Sequence, residues 1–272
     1  MSDTLSVSQF MLKRARALRP GLFDSSDTAS AVATVRAGRG VSRSRKGAGQ
    51  HDSEMRDDRS LLTQRRGETI LEHFRRIYLS LQAATDSETQ PAIGVTSAIA
   101  GEGRTTVATG VAAAMAADME SPIVLIEADL AHPGVHRVLG IAPQPGICEY
   151  LRGESDLSTA LRQISDRLFV LPAGDARGEA SRLMRQLASG ELRNRLDASG
   201  AILVFDLPPI LASSYGVMAS TMAEVLAFVV RAGTTTDTQV RDALSRLDDT
   251  SVRGLVLNGA QPQLPGWLRQ RG

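Results

Sequence analysis

A glycine-containing loop between an apolar run and a helix of small residues is the feature that most constrains the fold. The segment SAIAGEGRTT covers residues 97–106, follows the apolar run at 92–96 and precedes a predicted helix at 107–117. Backbone N–H groups at the start of such a helix bind phosphate, and glycines let the backbone approach it closely. We therefore interpret residues 97–106 as a phosphate-binding loop.

One position of this loop departs from the usual pattern. Arg104 stands where such a loop carries a lysine that reaches the phosphates. Its guanidinium group is planar and bulkier than the compact ammonium group of lysine. Every basic residue except Lys13 and Lys46 is an arginine, so the substitution fits a general drift toward arginine as well as a loss of function.

Apolar runs alternate with helical segments over most of the chain. The runs lie at 92–97, 123–128, 168–172, 201–206, 225–230 and 254–257, and the helical segments at 105–117, 157–164, 179–196 and 236–247. Short apolar strands joined by helices indicate an α/β fold with a doubly wound, mainly parallel sheet and helices on both faces. Such a sheet binds its ligand outside the carboxyl ends of the strands.

Candidate ligand-binding side chains stand at the ends of these predicted strands. Glu127 and Asp129 follow the second apolar run, Asp206 ends the fourth, and Thr105 lies in the loop after the first. A hydroxyl and carboxylates from three adjacent strand ends would surround one Mg²⁺–nucleotide complex. An acid in such a place is also a common helix cap, but three of them beside a glycine loop favour the binding site.

The N-terminal region differs from this alternating part. Residues 1–65 show no sustained apolar period and cluster Ser, Gly, Arg and Asp, so we predict a disordered or weakly ordered basic arm. Apolar residues at helical spacing then predict an amphipathic helix over 68–84, ahead of the first strand.

Composition narrows the remaining classes of function. The formal net charge of the 272 residues is +1, which gives no general case for nucleic-acid binding. We interpret the basic cluster at 36–46 as a solvated linker, with an anionic lipid or an acidic partner as the alternative. No apolar run approaches the roughly 18 residues of a membrane span, and the N-terminus lacks the apolar core of a signal peptide. We expect a cytoplasmic protein.

Seven segments together resemble one protein family. They are SAIAGEGRTT, VLIEADLAHPGVHRVLG, FVLPAG, ILVFDLPPIL, FVVRAGTT, GLVLNGA and the helical segment EHFRRIYLSL. In order and spacing, residues 68–260 resemble the bacterial tyrosine autokinases of capsule and exopolysaccharide synthesis, which belong to the same P-loop group as the partitioning ATPases. On this basis we divide the chain into the arm at 1–65, an autokinase-like P-loop domain at 66–260 and a tail at 261–272.

The resemblance implies ATP and Mg²⁺ as cofactors. The residues that it implies for nucleotide binding are Gly101, Glu102, Gly103, Arg104, Thr105, Thr106 and Asn258. Those that it implies for the metal are Thr105, Asp129 and Asp206.

Catalytic roles are implied for Glu127, Asp129 and Arg104. Glu127 stands where the family has an aspartate that activates the attacking hydroxyl. Asn258 matches an asparagine that contacts adenine in the wider ATPase group, and a turn asparagine after a strand is its structural alternative.

The resemblance also implies partners and a location. It implies a cytoplasmic protein peripheral to the inner membrane that acts with a membrane polysaccharide co-polymerase and regulates chain length or export. It further implies self-association through the helix at 68–84, and no specific nucleic-acid partner.

Several residues depart from the family pattern. Besides Arg104, Ala131 and Tyr78 replace arginines, Tyr215 replaces an aspartate, and the tail at 261–272 has no tyrosine for phosphorylation. We therefore predict a nucleotide-binding protein with weakened or lost kinase activity. The alternatives are a partitioning-type positioning ATPase, whose signature lysine is absent at 99–100, and a nucleotide-free scaffold.

Overall fold

The computed structural model describes the backbone of residues 52–85, 90–247 and 252–260, with side chains from residue 67 onward in these ranges. Its helices are α1 (Asp52–Ala83), α2 (Arg104–Asp118), α3 (Val135–Leu139), α4 (Ile147–Leu151), α5 (Leu157–Ala160), α6 (Ala180–Ala188), α7 (Glu191–Asp197), α8 (Gly216–Ser220) and α9 (Asp237–Leu244). Its strands are β1 (Ile93–Ser97), β2 (Ile123–Glu127), β3 (Arg162–Gln163), β4 (Leu168–Leu171), β5 (Ile202–Asp206), β6 (Val225–Arg231) and β7 (Val252–Asn258).

The strands form one sheet in the order β3-β4-β2-β5-β1-β6-β7. All neighbouring strands are parallel except the short β3, which runs antiparallel to β4. The central strands β1, β2 and β5 are buried along their whole length, as expected for a sheet covered on both faces. The predicted doubly wound, mainly parallel α/β fold is confirmed.

A separate hydrophobic core lies on each face of the sheet. On one face, alternate strand residues such as Val95 and Leu125 pack against α1 and α2. On the other face, residues such as Ile126 and Phe205 pack against α6 and α7. Because adjacent strand residues point to opposite faces, one apolar strand supplies both cores.

Helix α2 owes its central position to small residues. Its segment 107–116 is buried and consists largely of alanine. At Gly110 an added Cβ would lie 2.4 Å from the ring of Phe74 on α1, so only glycine allows α1 to approach this closely. Leu71, Tyr78 and Leu81 complete the buried face of α1.

The structure moves the start of the first helix. Helix α1 begins at Asp52, so residues 52–65, which we assigned to the arm, are helical. This part lacks the apolar stripe that the prediction relied on, but three Arg, two Leu and single Glu, Met and Gln residues make up eight of its 14 positions and favour helix by intrinsic propensity. The remaining arm (1–51) and the tail (261–272) lie outside the described residues.

Two predicted helices also differ. The helix predicted at 157–164 ends at Ala160, because Leu161 is extended and leads into the edge strand β3. The helix predicted at 179–196 is divided into α6 and α7 by Gly190, whose φ of 86° lies in the left-handed region. The five-residue helices α3, α4 and α8 were not predicted, since one turn is too short to show a helical period.

In the described ranges, no helix is sufficiently long and apolar to cross a membrane.

Candidate nucleotide-binding site

The glycine loop connects the end of β1 to the start of α2. Gly101 and Gly103 have φ values of 83° and 95°, a conformation that residues with a side chain rarely adopt. Gly103 is the N-cap of α2, and Thr105 and Thr106 lie in its first turn. The first N–H groups of a helix have no partner within it, so this end of α2 offers unpaired donors to an anion.

Polar contacts from Glu102, Thr235 and Arg231 hold the loop in its conformation. The carboxylate of Glu102, only 1% exposed, accepts a hydrogen bond from the N–H of Ile99 at 2.7 Å and another from the hydroxyl of Thr235. Arg231 Nη1 donates to the carbonyl of Gly101 at 2.8 Å. Sequence reasoning identified Glu102 but missed Thr235 and Arg231, because they stand at and beyond the end of β6, over a hundred residues away.

Asn258 supports the same loop. At the end of β7, its Nδ2 donates to the carbonyl of Glu102 at 2.8 Å. An added Cβ on Gly103 would lie 2.1 Å from this Nδ2 atom. Asn258 is therefore packed against the phosphate-binding loop, and its predicted contact with adenine stays a prediction.

The structure brings the predicted carboxylates to neighbouring strand ends. Glu127 at the end of β2 is in register with Asp206 at the end of β5, and Asp206 is in register with Val95 of β1. Asp129 lies two residues beyond β2. The three acids and the glycine loop thus meet at the carboxyl edge of the sheet, where doubly wound sheets bind ligands.

Asp206 is buried like the other two acids, but it lacks a full set of hydrogen-bond partners. It is 2% exposed, and its Oδ1 atom is buried without a hydrogen-bond partner. Burial raises the pKa of Asp206 to about 7, although a hydrogen bond from the Thr105 side chain and the charge of Arg104 oppose the shift. An unsatisfied buried carboxylate beside a hydroxyl is a donor pair suited to a hard cation.

Arg104 contacts its own loop and pairs with Asp129. Its Nη2 atom lies 3.2 Å from Asp129 Oδ2, and its Nη1 atom donates to Ser97 Oγ at 3.1 Å and to the carbonyl of Ile99 at 3.2 Å. The side chains of Arg104 and Asp129 are 10% and 5% exposed, so the ion pair is almost fully desolvated. Burial raises the pKa of Asp129, while the positive charge of Arg104 acts in the opposite direction.

Glu127 is fully engaged by backbone groups. Its Oε1 atom accepts hydrogen bonds from the N–H groups of Gly134 and Val135, and Oε2 accepts one from Ala173 at 2.9 Å. The side chain is 0% exposed. It therefore fixes the start of α3 and the segment after β4, and its predicted role in activating a hydroxyl stays a prediction.

Tyr215, one of the departures from the family pattern, borders the same site. It is buried, and the burial together with the nearby charge of Asp129 raises the pKa of its hydroxyl. The backbone of Ala131 is a hydrogen-bond partner of this hydroxyl. An apolar residue and a neutral one thus stand where the family has arginine and aspartate.

The residues at this edge fit Mg²⁺ in part. Thr105 and Asp206 supply oxygen donors and an unpaired Oδ1, whereas Asp129 is already neutralised by Arg104. Within the described ranges, no three His, Cys, Asp or Glu side chains are grouped to hold a metal. Magnesium commonly uses one or two protein oxygens with phosphates and water, so Thr105 and Asp206 are the residues suited to it.

The chain has sequence relatives among bacterial tyrosine-protein kinases. The chain is 27% identical over 191 residues to tyrosine-protein kinase YwqD of Bacillus subtilis (strain 168), covering 69% of this chain and 80% of YwqD. It is 30% identical over 196 residues to the succinoglycan biosynthesis transport protein ExoP of Rhizobium meliloti (strain 1021), covering 70% of this chain and 25% of ExoP. The chain is a diverged member of the bacterial tyrosine-protein kinase family. It spans most of YwqD but about a quarter of ExoP, and no protein-family model matches it.

Solved structures share the fold of this chain, and one of them, at 26% identity, is a tyrosine kinase domain. The BceF tyrosine kinase domain has a TM-score of 0.56 at 26% identity and covers 70% of this chain and 78% of that domain. The kinase domain of Escherichia coli ETK has a TM-score of 0.60 at 20% identity, covering 85% and 88%. A cobyrinic acid a,c-diamide synthase from Mycobacterium smegmatis, solved with an ATP analogue and magnesium, shares the fold with a TM-score of 0.50 at 21% identity, covering 62% and 72%. The kinase names favour the autokinase family over the partitioning-type alternative.

Proposed function

We propose that this protein is a nucleotide-binding regulator of exopolysaccharide assembly with weakened or lost tyrosine kinase activity. Its homologues are tyrosine-protein kinases and a protein of succinoglycan biosynthesis. The observation that carries the proposal is the buried ion pair between Arg104 of the phosphate-binding loop and Asp129. The loop retains its glycine conformation, while the guanidinium of Arg104 is held in an ion pair with Asp129.

The binding function rests on the parts of the site that remain intact. The loop N–H groups and the start of α2 bind the phosphates of ATP, and Gly101 and Gly103 allow the backbone to approach them. Thr105 and Asp206 hold Mg²⁺, which when bound neutralises phosphate charge. Asn258, Glu102 and the loop form one packed unit, so the site is preorganised without the lysine.

Catalysis depends more strongly than binding on the residues that have changed. Phosphoryl transfer is catalysed by positioned charges, and the loss of one charged contact to the transition state lowers the rate by about a thousandfold. Arg104 keeps the positive charge but points it at Asp129, and the carboxylate of Glu127 is engaged by backbone N–H groups. Two of the three residues implied in catalysis are thus paired with each other and the third is fully hydrogen-bonded.

We further propose a membrane partner at the cytoplasmic face of the inner membrane. ExoP is named a transport protein, and the matched region is about a quarter of its length. The family resemblance implies a membrane polysaccharide co-polymerase as this partner. Self-association would use the outer face of α1, where Leu79 is 48% exposed, because the inner face packs on α2 of the same chain.

The experiment measures binding and phosphoryl transfer on the same purified protein. Calorimetry with ADP is expected to detect binding, and incubation with γ-³²P-labelled ATP is expected to leave no label on tyrosine. Gly103→Ala, whose added Cβ would lie 2.1 Å from Asn258 Nδ2, is the control for a distorted phosphate-binding loop. Labelling of tyrosine that disappears in Asp129→Ala would mean an active kinase, and no heat at high ADP concentration would mean a nucleotide-free scaffold.

A further inference from the structure

The contacts of Arg104 point to a role beyond the loss of the usual lysine. Three of its five N–H donors are used, by Ser97 Oγ, the carbonyl of Ile99 and Asp129 Oδ2. Its Nε atom is buried and has no hydrogen-bond partner. The guanidinium is therefore fixed in place by three contacts, and its two other N–H groups have no partner among the described residues. It carries a full positive charge beside the loop.

Asp129 is correspondingly withdrawn from metal binding. Its Oδ2 atom pairs with Arg104, and its Oδ1 atom accepts a hydrogen bond from the N–H of His132 at 3.2 Å. The imidazole of His132 lies 3.8 Å from the same Oδ1 atom. Separating a desolvated ion pair leaves both charges buried without compensation, so a cation in solution competes poorly for this carboxylate.

Asp206 contrasts with Asp129 at the same edge of the sheet. Its Oδ1 atom has no partner, and it is the one carboxylate oxygen among the described residues that is both buried and unsatisfied. A bound cation would thus find one available carboxylate where the family arrangement implies two. At Asp129, the guanidinium of Arg104 already supplies the positive charge.

We propose that Arg104 acts as a built-in cation that replaces much of the Mg²⁺ contribution, so that this site binds nucleotide with little dependence on magnesium. The inference rests on the proposed function, since it concerns how the same site holds a nucleotide. The pair with Asp129 keeps the guanidinium at the loop in the absence of ligand, and the unused N–H groups of Arg104 donate hydrogen bonds to the phosphate oxygens. Arg104 is then a specificity-determining residue that allows the site to bind a nucleotide without bound Mg²⁺.

The test measures the dissociation constant of ADP by calorimetry, in excess Mg²⁺ and in EDTA, on the full chain. For the unaltered protein, we expect the two values to agree within about threefold. In Arg104→Lys the shorter ammonium cannot make the three contacts at once, so Asp129 becomes available. For that variant, we expect Mg²⁺ to tighten ADP binding by about tenfold or more.

The variant Asp129→Asn distinguishes two roles of Asp129, anchoring Arg104 or holding the metal. The first role predicts tighter ADP binding and the second predicts weaker ADP binding. If Asp129 only anchors Arg104, removing its charge leaves the guanidinium uncompensated, and ADP binding in EDTA tightens by about threefold or more. If Asp129 holds the metal, the variant instead binds ADP more weakly in Mg²⁺. Thermal unfolding of each variant establishes that it is folded before its binding is compared.

The outcomes separate this inference from the proposed function. Binding of ADP by the unaltered protein that weakens about tenfold or more in EDTA overturns the inference but keeps the nucleotide-binding function. Absence of binding in both conditions overturns both. The unaltered protein alone decides these two cases, so the test stands even where a variant fails to fold.

Discussion

The two ends of helix α2 each carry an ion pair between an arginine and an aspartate, and the pairs differ in burial and effect. At the N-terminus, Arg104 binds Asp129 at 3.2 Å with 10% and 5% exposure. At the C-terminus, Asp118 accepts two hydrogen bonds of 2.6 Å from Arg75 of α1, with 24% and 31% exposure. Both α2 residues have the charge that the helix dipole disfavours at that end, so each depends on its partner.

The comparison shows how geometry decides the protonation of a paired acid. At the C-terminal end, the two-pronged hydrogen bond from Arg75 outweighs burial and lowers the pKa of Asp118. At the N-terminal end, burial outweighs the charge of Arg104 and raises the pKa of Asp129. The Arg75–Asp118 pair stabilises the packing of α1 on α2. The Arg104–Asp129 pair instead holds a charge in the candidate nucleotide site, and its burial has a desolvation cost.

The largest expected effect is at the N-terminal pair. Asp129→Ala leaves Arg104 buried without a counter-ion, which lowers the free energy of unfolding by about 3 kcal/mol. Urea denaturation followed by circular dichroism measures the change. An effect below that of Asp118→Ala would show that the more buried pair is not the more strongly coupled one.

A smaller loss is expected at the C-terminal pair. Asp118→Ala removes the acceptor for Arg75 and Tyr78, and we expect it to lower the free energy of unfolding by about 2 kcal/mol. Affinity for ADP should not change, because the nucleotide site is at the opposite end of α2, about 20 Å away. Denaturation and calorimetry on the same samples test both statements, and a loss of ADP binding would mean that the two ends are coupled.

The stability provided by Asp118 should depend on pH. A carboxyl whose pKa is lowered by folding contributes stability fully above its unfolded pKa of about 3.9, and loses it as pH falls through the folded pKa. The difference in urea midpoint between the unaltered protein and Asp118→Asn should therefore shrink as pH is lowered below about 4. A difference that stayed constant to the lowest pH would contradict the lowered pKa.

The smallest effect concerns the hydroxyl of Tyr78, which donates to Asp118 at 2.5 Å. Burial and this hydrogen bond raise the pKa of Tyr78 to about 12, so the hydroxyl is protonated at neutral pH. Tyr78→Phe removes one hydrogen bond and should lower the free energy of unfolding by about 1 kcal/mol. Phe74→Leu is a matched control for the apolar packing of α1, and a Tyr78→Phe variant as stable as the unaltered protein would show that the hydroxyl adds nothing.

Tyr78 also explains why a departure from the family pattern is compatible with the fold. The resemblance placed an arginine at this position, one turn after Arg75. Here Arg75 already binds Asp118 and Glu72, the latter at 2.6 Å. Tyr78, on the buried face of α1, donates a further hydrogen bond to Asp118. The segment predicted to join subunits thus also fastens α1 to its own domain.

Much of the fold could be predicted because its signals are local. Apolar strands, intervening helices and the glycine loop each appear within a dozen residues. The edge strand β3 and the helices of five residues could not be predicted, since they are too short to show a period. The early start of α1 was missed for another reason. Residues 52–65 favour helix by intrinsic propensity but have no periodic apolar pattern.

The sequence by itself predicted the candidate site. The residues 97–106, Glu127, Asp129 and Asp206 have the types and spacing of a phosphate-binding edge, and covalent order alone places them at strand ends. What only the tertiary structure decided is which partner each charge takes. Arg104 pairs with Asp129, Glu127 with three backbone N–H groups, and the loop rests on side chains from distant strands. Electrostatic energy depends on distance and burial, and neither is fixed until the strands and helices pack together.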